Sequence, residues 1–366
     1  MGPEFFSDLI LFAEHAMRAD YSKLRKTGQA LAKKIEKSDP ERARAFRSAI
    51  NRKGLPLQAS GLTEILPVDN KSRLPLIEEH LWPTCPIFLN ADAKEKFSAF
   101  LSDVENFELL AANGISSKLS LLMSGPPGTG KTLLAGHIAS QLGKSLYVVR
   151  LDSIISSMLG DTAKNIRSVF DFIAGKDAVL FLDELDAVAK KRDDRNELGE
   201  LKRVVNTVIQ GIDSLDERAI VIAATNHPQM LDTAIWRRFS YKLNLDPPEL
   251  ELRQALWSYF LNIDDELDYQ VLIMASISNG LSGADIEQFA LAARREAIIN
   301  KQEIDFIRLA FRLVFSDKKN NYHEKKPIEV RRELARSLVG DYDIAQTEIA
   351  RFLGVSRQVV YSYIKV

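Results

Sequence analysis

The chain has 366 residues, which at ~100–200 residues per domain is enough for two or three domains. It carries 49 Lys and Arg against 50 Asp and Glu, a formal net charge of −1, which excludes a uniformly basic nucleic-acid coat and a wholly acidic disordered chain. The single cysteine, Cys85, excludes an intramolecular disulfide framework and is typical of a reducing, cytoplasmic compartment, and no apolar run approaches the ~18 residues of a membrane span.

The first 86 residues divide into a helical part and a proline-rich part. Apolar residues recur at helical spacing from Phe6 to Ile35, and a second helix is predicted after Pro40, so we interpret residues 1–53 as a small helical module. The sequence leaves open whether this module docks a partner or packs on the main domain. Residues 54–86 hold five of the thirteen prolines, which indicates a linker, because each proline fixes φ and removes a backbone donor.

From about residue 87 to residue 245, short apolar runs alternate with helical stretches. Nearly all-apolar strands separated by helices predict an α/β fold, with a parallel sheet covered by helices on both faces. The predicted strands are 119–124, 146–151, 178–182, 220–224 and 241–245. We expect residues 246–315 to be helical only, 316–327 to be a polar linker and 328–366 to be helical again.

A phosphate-binding loop of the pattern G-x-x-x-x-G-K-[ST] lies at residues 125–132, between a predicted strand and a predicted helix. Its glycines let the backbone curl so that consecutive N–H groups face the phosphates, and the helix N-terminus adds its positive dipole end. Lys131 is expected to place a cation at the β- and γ-phosphates, and Thr132 is the expected Mg²⁺ ligand. The residues that we assign to ATP are Pro127, Gly128, Thr129, Gly130, Lys131, Thr132 and Leu133.

Two adjacent carboxylates, Asp183 and Glu184, end the apolar run that begins at Ala178. In a parallel sheet this end of a buried strand lies beside the phosphate loop, so the pair supports the same nucleotide site. We expect Asp183 to hold Mg²⁺ through the ion's water ligands and Glu184 to polarise the attacking water.

These residues and several later motifs resemble the classical AAA branch of the AAA+ ATPases over roughly residues 87–315. Ala224-Thr225-Asn226 closes the fourth strand, and the resemblance implies that Asn226 positions the lytic water. Gly280–Ile286 is similar to the motif of the helical lid, which implies that Gly283 and Ala284 approach the adenine. The expected fold is therefore an AAA+ parallel sheet of the P-loop type with a helical lid.

Residues 231–239 resemble the second region of homology of this family. The resemblance implies that Arg237 and Arg238 are arginine fingers, which enter the neighbouring subunit's nucleotide site and stabilise charge on the transferring phosphate. A finger supplied in trans makes hydrolysis depend on assembly, so the resemblance implies a homo-oligomeric ring, usually a hexamer. Only one phosphate loop is present, which indicates a single ring.

Met158-Leu159-Gly160 aligns with the first pore loop of the family, where an aromatic residue usually stands in place of Met158. The functional interpretation is a loop that grips a polypeptide in the central channel, and methionine can still make such a contact because it is flexible and apolar. An ordinary surface loop is the alternative. Residues 190–200 would carry the second pore loop or form a solvated charged segment.

Residues 344–365 resemble a helix-turn-helix. We predict a first helix over 346–352, a tight turn at 353–355 and a second helix from Arg357 to Lys365 with Ser356 as its cap. The second helix would then present four side chains to the major groove of DNA: Arg357, Gln358, Tyr361 and Ser362. Ring assembly or partner docking by this helical unit is the alternative.

Three functions are consistent with these features. The first is an ATP-driven remodeller or unfoldase of a protein client, with a separate effector to receive the client. Similar stand-alone bacterial AAA proteins can accompany a subtilisin-like protease, and the resemblance implies such a protease as one effector. The second is an ATPase recruited to DNA by the C-terminal helices, in a mobile-element or defence role. The third is a scaffold whose nucleotide-dependent ring is itself the output.

Overall fold

The computed structural model describes residues 27–28, 31–32, 34–35, 66–69, 73–115, 118–156, 162–188, 195–263, 268–315 and 325–365. The predicted pore-loop residues Met158, Leu159 and Gly160 lie outside these ranges, as does nearly all of the predicted N-terminal module, of which six residues with helical backbone are described. No helix in the described ranges has both the length and the apolar character to cross a membrane.

The secondary structure alternates strands and helices as far as residue 244 and is helical beyond it. The strands are β1 (Glu78–His80), β2 (Ser120–Ser124), β3 (Ser145–Arg150), β4 (Ala178–Asp183), β5 (Ile220–Thr225) and β6 (Tyr241–Asn244). The helices of the α/β part are α1 (Ala91–Glu105), α2 (Phe107–Ala112), α3 (Lys131–Leu142), α4 (Leu151–Ser156), α5 (Thr162–Ile173), α6 (Arg195–Ser214) and α7 (Thr233–Trp236). The later helices are α8 (Leu250–Leu261), α9 (Tyr269–Ile277), α10 (Gly283–Asn300), α11 (Phe306–Val314), α12 (Pro327–Gly340), α13 (Gln346–Leu353) and α14 (Arg357–Ile364).

The six strands form one sheet in the order β1-β3-β4-β5-β2-β6. This is the mixed α/β architecture that the alternating pattern predicts, and every predicted strand is present within two residues of its expected bounds. Strand β1 was not predicted, and it pairs antiparallel to β3 with Glu79 opposite Tyr147. It escaped prediction because three polar residues in a proline-rich segment carry no apolar period.

Tertiary contacts divide the chain into two units. The first contains residues 1–83, 116–120 and 135–222. Within it β3 and β4 run parallel, with Val148 opposite Phe181, and both strands are buried along most of their length. Helices α5 and α6 pack closely together, because a Cβ added at Gly211 of α6 would lie 2.2 Å from the ring of Phe170.

The second unit contains residues 84–115, 121–134 and 223–366. Strands β2 and β6 are parallel, with Leu121 opposite Tyr241. Helix α1 packs on β6 through Tyr241, whose ring meets that of Phe100 edge to face and whose hydroxyl donates to Asp103 at 2.8 Å.

The helices after residue 245 share one apolar core, to which α8 to α11 and α12 to α14 all contribute buried side chains. Trp257 of α8 is fully buried, and its indole N–H donates to Ser278 Oγ at 2.9 Å. Leu334 of α12, Ile349 of α13 and Val360 of α14 are fully buried in the same core. The C-terminal helices are therefore packed together with the helices of the predicted lid.

Candidate active site

The phosphate loop begins in the second unit, directly after β2, whose five residues are all buried. Its first glycine, Gly125, lies against the chain that leaves β6, because a Cβ added there would lie 2.2 Å from the carbonyl oxygen of Leu245. The backbone N–H of Leu245 in turn donates to the carbonyl of Ser124 at 2.7 Å. Glycine at position 125 thus permits a close backbone approach that anchors the start of the loop.

Lys131 is the first residue of α3, and its ammonium group lies inside the curl of the loop. Its Nζ donates to the carbonyl oxygens of Gly125 and Pro126, both at 2.8 Å, and only 8% of the residue is exposed. Thr129 Oγ1 donates to the same Pro126 carbonyl at 2.9 Å. These bonds hold the cation within the curve of backbone that the motif uses for phosphates.

The lid motif contacts the phosphate loop within the second unit. The backbone N–H of Ala284 donates to the carbonyl of Gly128 at 3.2 Å. Gly128 has φ +77°, and a Cβ added there would lie 2.4 Å from Ser282 Oγ and 3.1 Å from the Cβ of Ala284. Gly283 is also close, since its own added Cβ would lie 3.7 Å from the Gly128 carbonyl oxygen. Two motifs that are far apart in the sequence are thus in backbone contact.

A capping box at the start of α10 orients this part of the lid. Ser282 Oγ accepts a hydrogen bond from the Asp285 backbone N–H, and the Asp285 carboxylate accepts bonds from the backbone N–H of Ser282 at 2.9 Å and from its hydroxyl at 2.6 Å. The sequence carries a signal for this cap, because a serine three residues before an acidic residue is a recognisable start of a helix.

The acidic pair belongs to the first unit, where Asp183 is the last residue of β4. The chain turns sharply there, because Glu184 has φ +55°, in the left-handed region that is unfavourable for a residue with a side chain. The backbone N–H of Glu184 donates to Asp183 Oδ1 at 2.9 Å. Because of this turn, the two neighbouring carboxyl groups have different partners: that of Asp183 accepts from the backbone N–H of Glu184, and that of Glu184 meets Asp152.

The carboxyl group of Glu184 forms a hydrogen bond with Asp152, near the start of α4. Burial, this hydrogen bond and the charges of Asp152 and Asp183 raise the pKa of Glu184 above its ordinary value. Burial acts in the same direction on Asp152, but its hydrogen bonds with Ser153 and Glu184 and the charge of Arg150 outweigh it and hold the pKa of Asp152 below its ordinary value. Of the two carboxyl groups, Glu184 is therefore the one that binds a proton more readily, as a group that accepts a proton must.

Arg150 and Asp152 were not identified from the sequence. The guanidinium of Arg150 donates to Asp152 Oδ2 at 3.3 Å, so the two residues form an ion pair at the carboxyl end of β3. The sequence signal that could have identified them is the presence of charged residues at the end of a buried strand. Their relation to Glu184 depends on a tertiary contact that spacing along the chain does not reveal.

The remaining predicted catalytic residues lie in the second unit. Asn226 directly follows β5 and is half-buried. Arg237 caps the end of α7 and is exposed, whereas Arg238 is half-buried. An exposed arginine at the end of a short helix is free to reach a group on another molecule, so the position of Arg237 is compatible with a role in trans.

The predicted metal ligands offer the chemistry that Mg²⁺ prefers. Thr132 supplies a hydroxyl oxygen from the first turn of α3, and Asp183 supplies a half-buried carboxylate at the end of β4. A site with only a few protein oxygen ligands suits Mg²⁺, because this ion keeps several of its water ligands. The two residues belong to different units.

The side chains predicted to face DNA lie together on α14. Arg357, Gln358, Tyr361 and Ser362 are all exposed, whereas Val360 is fully buried. Helices α13 and α14 lie within one residue of their predicted bounds.

Comparison with known proteins gives one family and several relatives. The sequence model of the ATPase family associated with various cellular activities (AAA) matches residues 121–247. An uncharacterised AAA family ATPase of Sinorhizobium fredii is 38% identical over 227 residues, which are 61% of this chain and 68% of that protein.

Two further relatives each match about half of the chain. Proteasome-activating nucleotidase 1 of Haloferax volcanii is 34% identical over 201 residues, 52% of this chain and 49% of that protein. Fidgetin-like protein 1 of Drosophila melanogaster is 36% identical over 174 residues, 46% of this chain and 33% of that protein. The chain thus spans less than half the length of these two relatives.

Proposed function

The chain belongs to the AAA family of ATP-hydrolysing enzymes, and we propose that it acts as a ring of identical subunits, a hexamer, that remodels a protein client. Its nucleotide is ATP, held by residues 127–133 of the phosphate loop and by Gly283 and Ala284 of the lid. Mg²⁺, held by Thr132 and by Asp183 through water, would neutralise charge on the phosphates when bound.

Hydrolysis in this proposal uses side chains from two subunits. Lys131 stabilises the β- and γ-phosphates, and Asn226 orients the attacking water. As the water oxygen attacks the γ-phosphorus, Glu184 accepts a proton from the water, and the bond from the γ-phosphorus to the bridging β-phosphate oxygen breaks, which releases ADP and phosphate. Arg237 and Arg238 of the neighbouring subunit stabilise the charge that develops on the transferring phosphoryl group. The exposed position of Arg237 supports this assignment.

The contact between Gly128 and the lid is the observation that carries the proposal. The carbonyl of Gly128 accepts from Ala284, and the space beside Gly128 is filled by Ser282 and Ala284. Any change in the curl of the loop when phosphates bind must therefore be accommodated by the first turn of α10. Nucleotide binding can therefore move the helical lid through this contact, and mechanical work on a client requires such a movement.

The relatives support a protein client rather than a small molecule. One of them is named for the activation of proteasomes. We assign the contact with the client to Met158, Leu159 and Gly160, and a subtilisin-like protease would be one effector able to receive the released client. If the ring itself is the output, the protein is instead a nucleotide-dependent scaffold.

The client-remodelling proposal is tested by Met158→Ala in an unfolding assay with a fluorescent protein that carries an unstructured tail. We expect the variant to lose unfolding of this reporter and to keep ATP hydrolysis. Leu81→Ala is the matched control, because Leu81 is a highly exposed apolar residue outside every assigned site. Unfolding that survives Met158→Ala unchanged would contradict threading through this loop, and ATP hydrolysis without unfolding by the wild type would favour the scaffold.

A further inference from the structure

The C-terminal helices α13 and α14 are joined by a tight turn. Gly354 ends α13 in the left-handed region with φ +66°, and its N–H and that of Val355 return to the carbonyls of α13. Ser356 then caps α14, its side chain accepting from the backbone N–H of Val359. Two short helices joined in this way have the form of a helix-turn-helix.

The apolar side of this unit is already covered. Ile349 and Val360 are fully buried in the core shared with the lid, and Tyr363 is nearly so. The guanidinium of Arg351 lies 4.2 Å from the ring centre of Tyr269 in α9, and Arg336 Nε donates to the carbonyl of Tyr363 at 2.7 Å. The first contact ties α13 to the lid and the second ties α14 to α12, and together with the buried side chains they determine which face of α14 remains exposed.

The exposed face of α14 carries polar donors and no carboxylate. Its side chains recur at the spacing of one helical face: Arg357, Gln358, Tyr361, Ser362 and Lys365. Four of them can donate a hydrogen bond outward and two carry a positive charge, whereas the Ser362 hydroxyl donates to the carbonyl of Val359 at 2.7 Å. No Asp or Glu occurs anywhere in residues 349–366. The exposed face of α14 is therefore complementary to a polyanion that offers many hydrogen-bond acceptors, and not to an apolar groove.

We propose that this face of α14 binds duplex DNA, with the helix in the major groove. The major groove of B-DNA admits an α-helix and presents acceptors that arginine and glutamine bind in pairs. The absence of a carboxylate along the face removes repulsion from the phosphates.

Other macromolecules fit this face less well. The major groove of double-stranded RNA is too deep and narrow for side chains to read. A protein partner would need buried apolar or aromatic anchors at the centre of its interface, and the exposed face of α14 offers one aromatic residue, Tyr361, among polar ones.

The test is the affinity of the full chain for a short fluorescein-labelled DNA duplex of mixed sequence, measured by anisotropy over a series of salt concentrations. We expect binding whose logarithm falls linearly with the logarithm of salt concentration. Arg357→Ala should weaken the affinity about tenfold. Arg295→Ala is the matched control, since it removes the same charge from an exposed position on α10 and should leave the affinity within about twofold of the wild type.

Three results would overturn the proposal. The first is that the wild-type chain does not bind the duplex at low salt. The second is that the two arginine variants lose equal affinity for the duplex. The third is that the wild-type chain binds double-stranded or single-stranded RNA more tightly than the DNA duplex. Circular dichroism and the thermal midpoint of Arg357→Ala test whether the variant protein is still folded. Should that variant unfold, Gln358→Ala, which keeps the helix propensity and the charge, replaces it in the same comparison.

Discussion

At the scale of single residues, the contact of Gly128 with the lid makes the most direct prediction. Gly128 and Gly130 both have positive φ, +77° and +89°, so alanine at either position meets the same backbone penalty. A Cβ at Gly130 meets nothing within 4 Å, whereas a Cβ at Gly128 meets Ser282 and Ala284. Ser282 cannot turn away cheaply, because its hydroxyl is part of the capping box of α10.

We therefore expect Gly128→Ala to lower the free energy of unfolding by about 1–3 kcal/mol more than Gly130→Ala does. The measurement is the denaturant midpoint of each variant without nucleotide. Equal midpoints for the two variants would mean that the loop and the lid do not touch in solution as they do in the structure.

The predictability of the site also differs residue by residue. Gly128 and Lys131 lie in a pattern of fixed spacing, because phosphate binding by consecutive backbone N–H groups demands a particular local sequence. Asp183 was predictable because it ends an apolar run. Asp152 lies in no such pattern. Its hydrogen bond with Glu184 arises only when β3 and β4 are paired side by side, which is a tertiary relation.

At the scale of elements, the close packing of α5 on α6 is testable with a pair of glycines. Alanine at Gly211 would place a Cβ 2.2 Å from the ring of Phe170, whereas alanine at Gly340, in the last turn of α12, meets nothing within 4 Å. We expect Gly211→Ala to destabilise the protein by about 1–3 kcal/mol and Gly340→Ala to be neutral or to stabilise it by up to about 1 kcal/mol. Differential scanning calorimetry measures both effects, and a Gly211→Ala protein as stable as the wild type would contradict the packing.

The capping box of α10 makes a second prediction at this scale. Asp285→Ala removes the acceptor of two hydrogen bonds from Ser282 and should cost about 1 kcal/mol of stability. Gln288→Ala is the control, because Gln288 is exposed on the same helix and holds no cap. Chemical denaturation of the two variants gives the comparison, and an equal change in both would refute a stabilising role for the box.

Elements were predictable where burial imposes a period. Strands β2 to β5 are mostly apolar and buried, since a sheet covered on both faces excludes polar side chains, and apolar runs identify them. Strand β6 is half polar, with Leu243 buried and Lys242 and Asn244 exposed. Strand β1 is polar and three residues long, so only its pairing with β3 reveals it. The shared core of α8–α14 was equally hidden, because each helix shows an apolar face but not the partner that the face meets.

At the scale of the whole molecule, the proposed mechanism of ATP hydrolysis requires nucleotide sites that a neighbouring subunit completes. In such an arrangement Glu184 acts on the nucleotide of its own subunit, and Arg237 acts on the nucleotide of the next. Each of the variants Glu184→Gln and Arg237→Ala should then be inactive alone, for a different reason. Both should still bind ATP, because neither change touches the phosphate loop or Lys131.

The measurement that tests this most directly is ATP hydrolysis by a mixture of these two variants, co-assembled in equal amounts. In a ring with head-to-tail interfaces, random mixing should pair an intact Glu184 with an intact Arg237 at about a quarter of the sites. We predict that each variant alone is inactive and that the mixture recovers hydrolysis in about that proportion. Undiminished hydrolysis by Arg237→Ala alone, or no recovery in mixtures that light scattering shows to be co-assembled, would contradict a site shared between subunits.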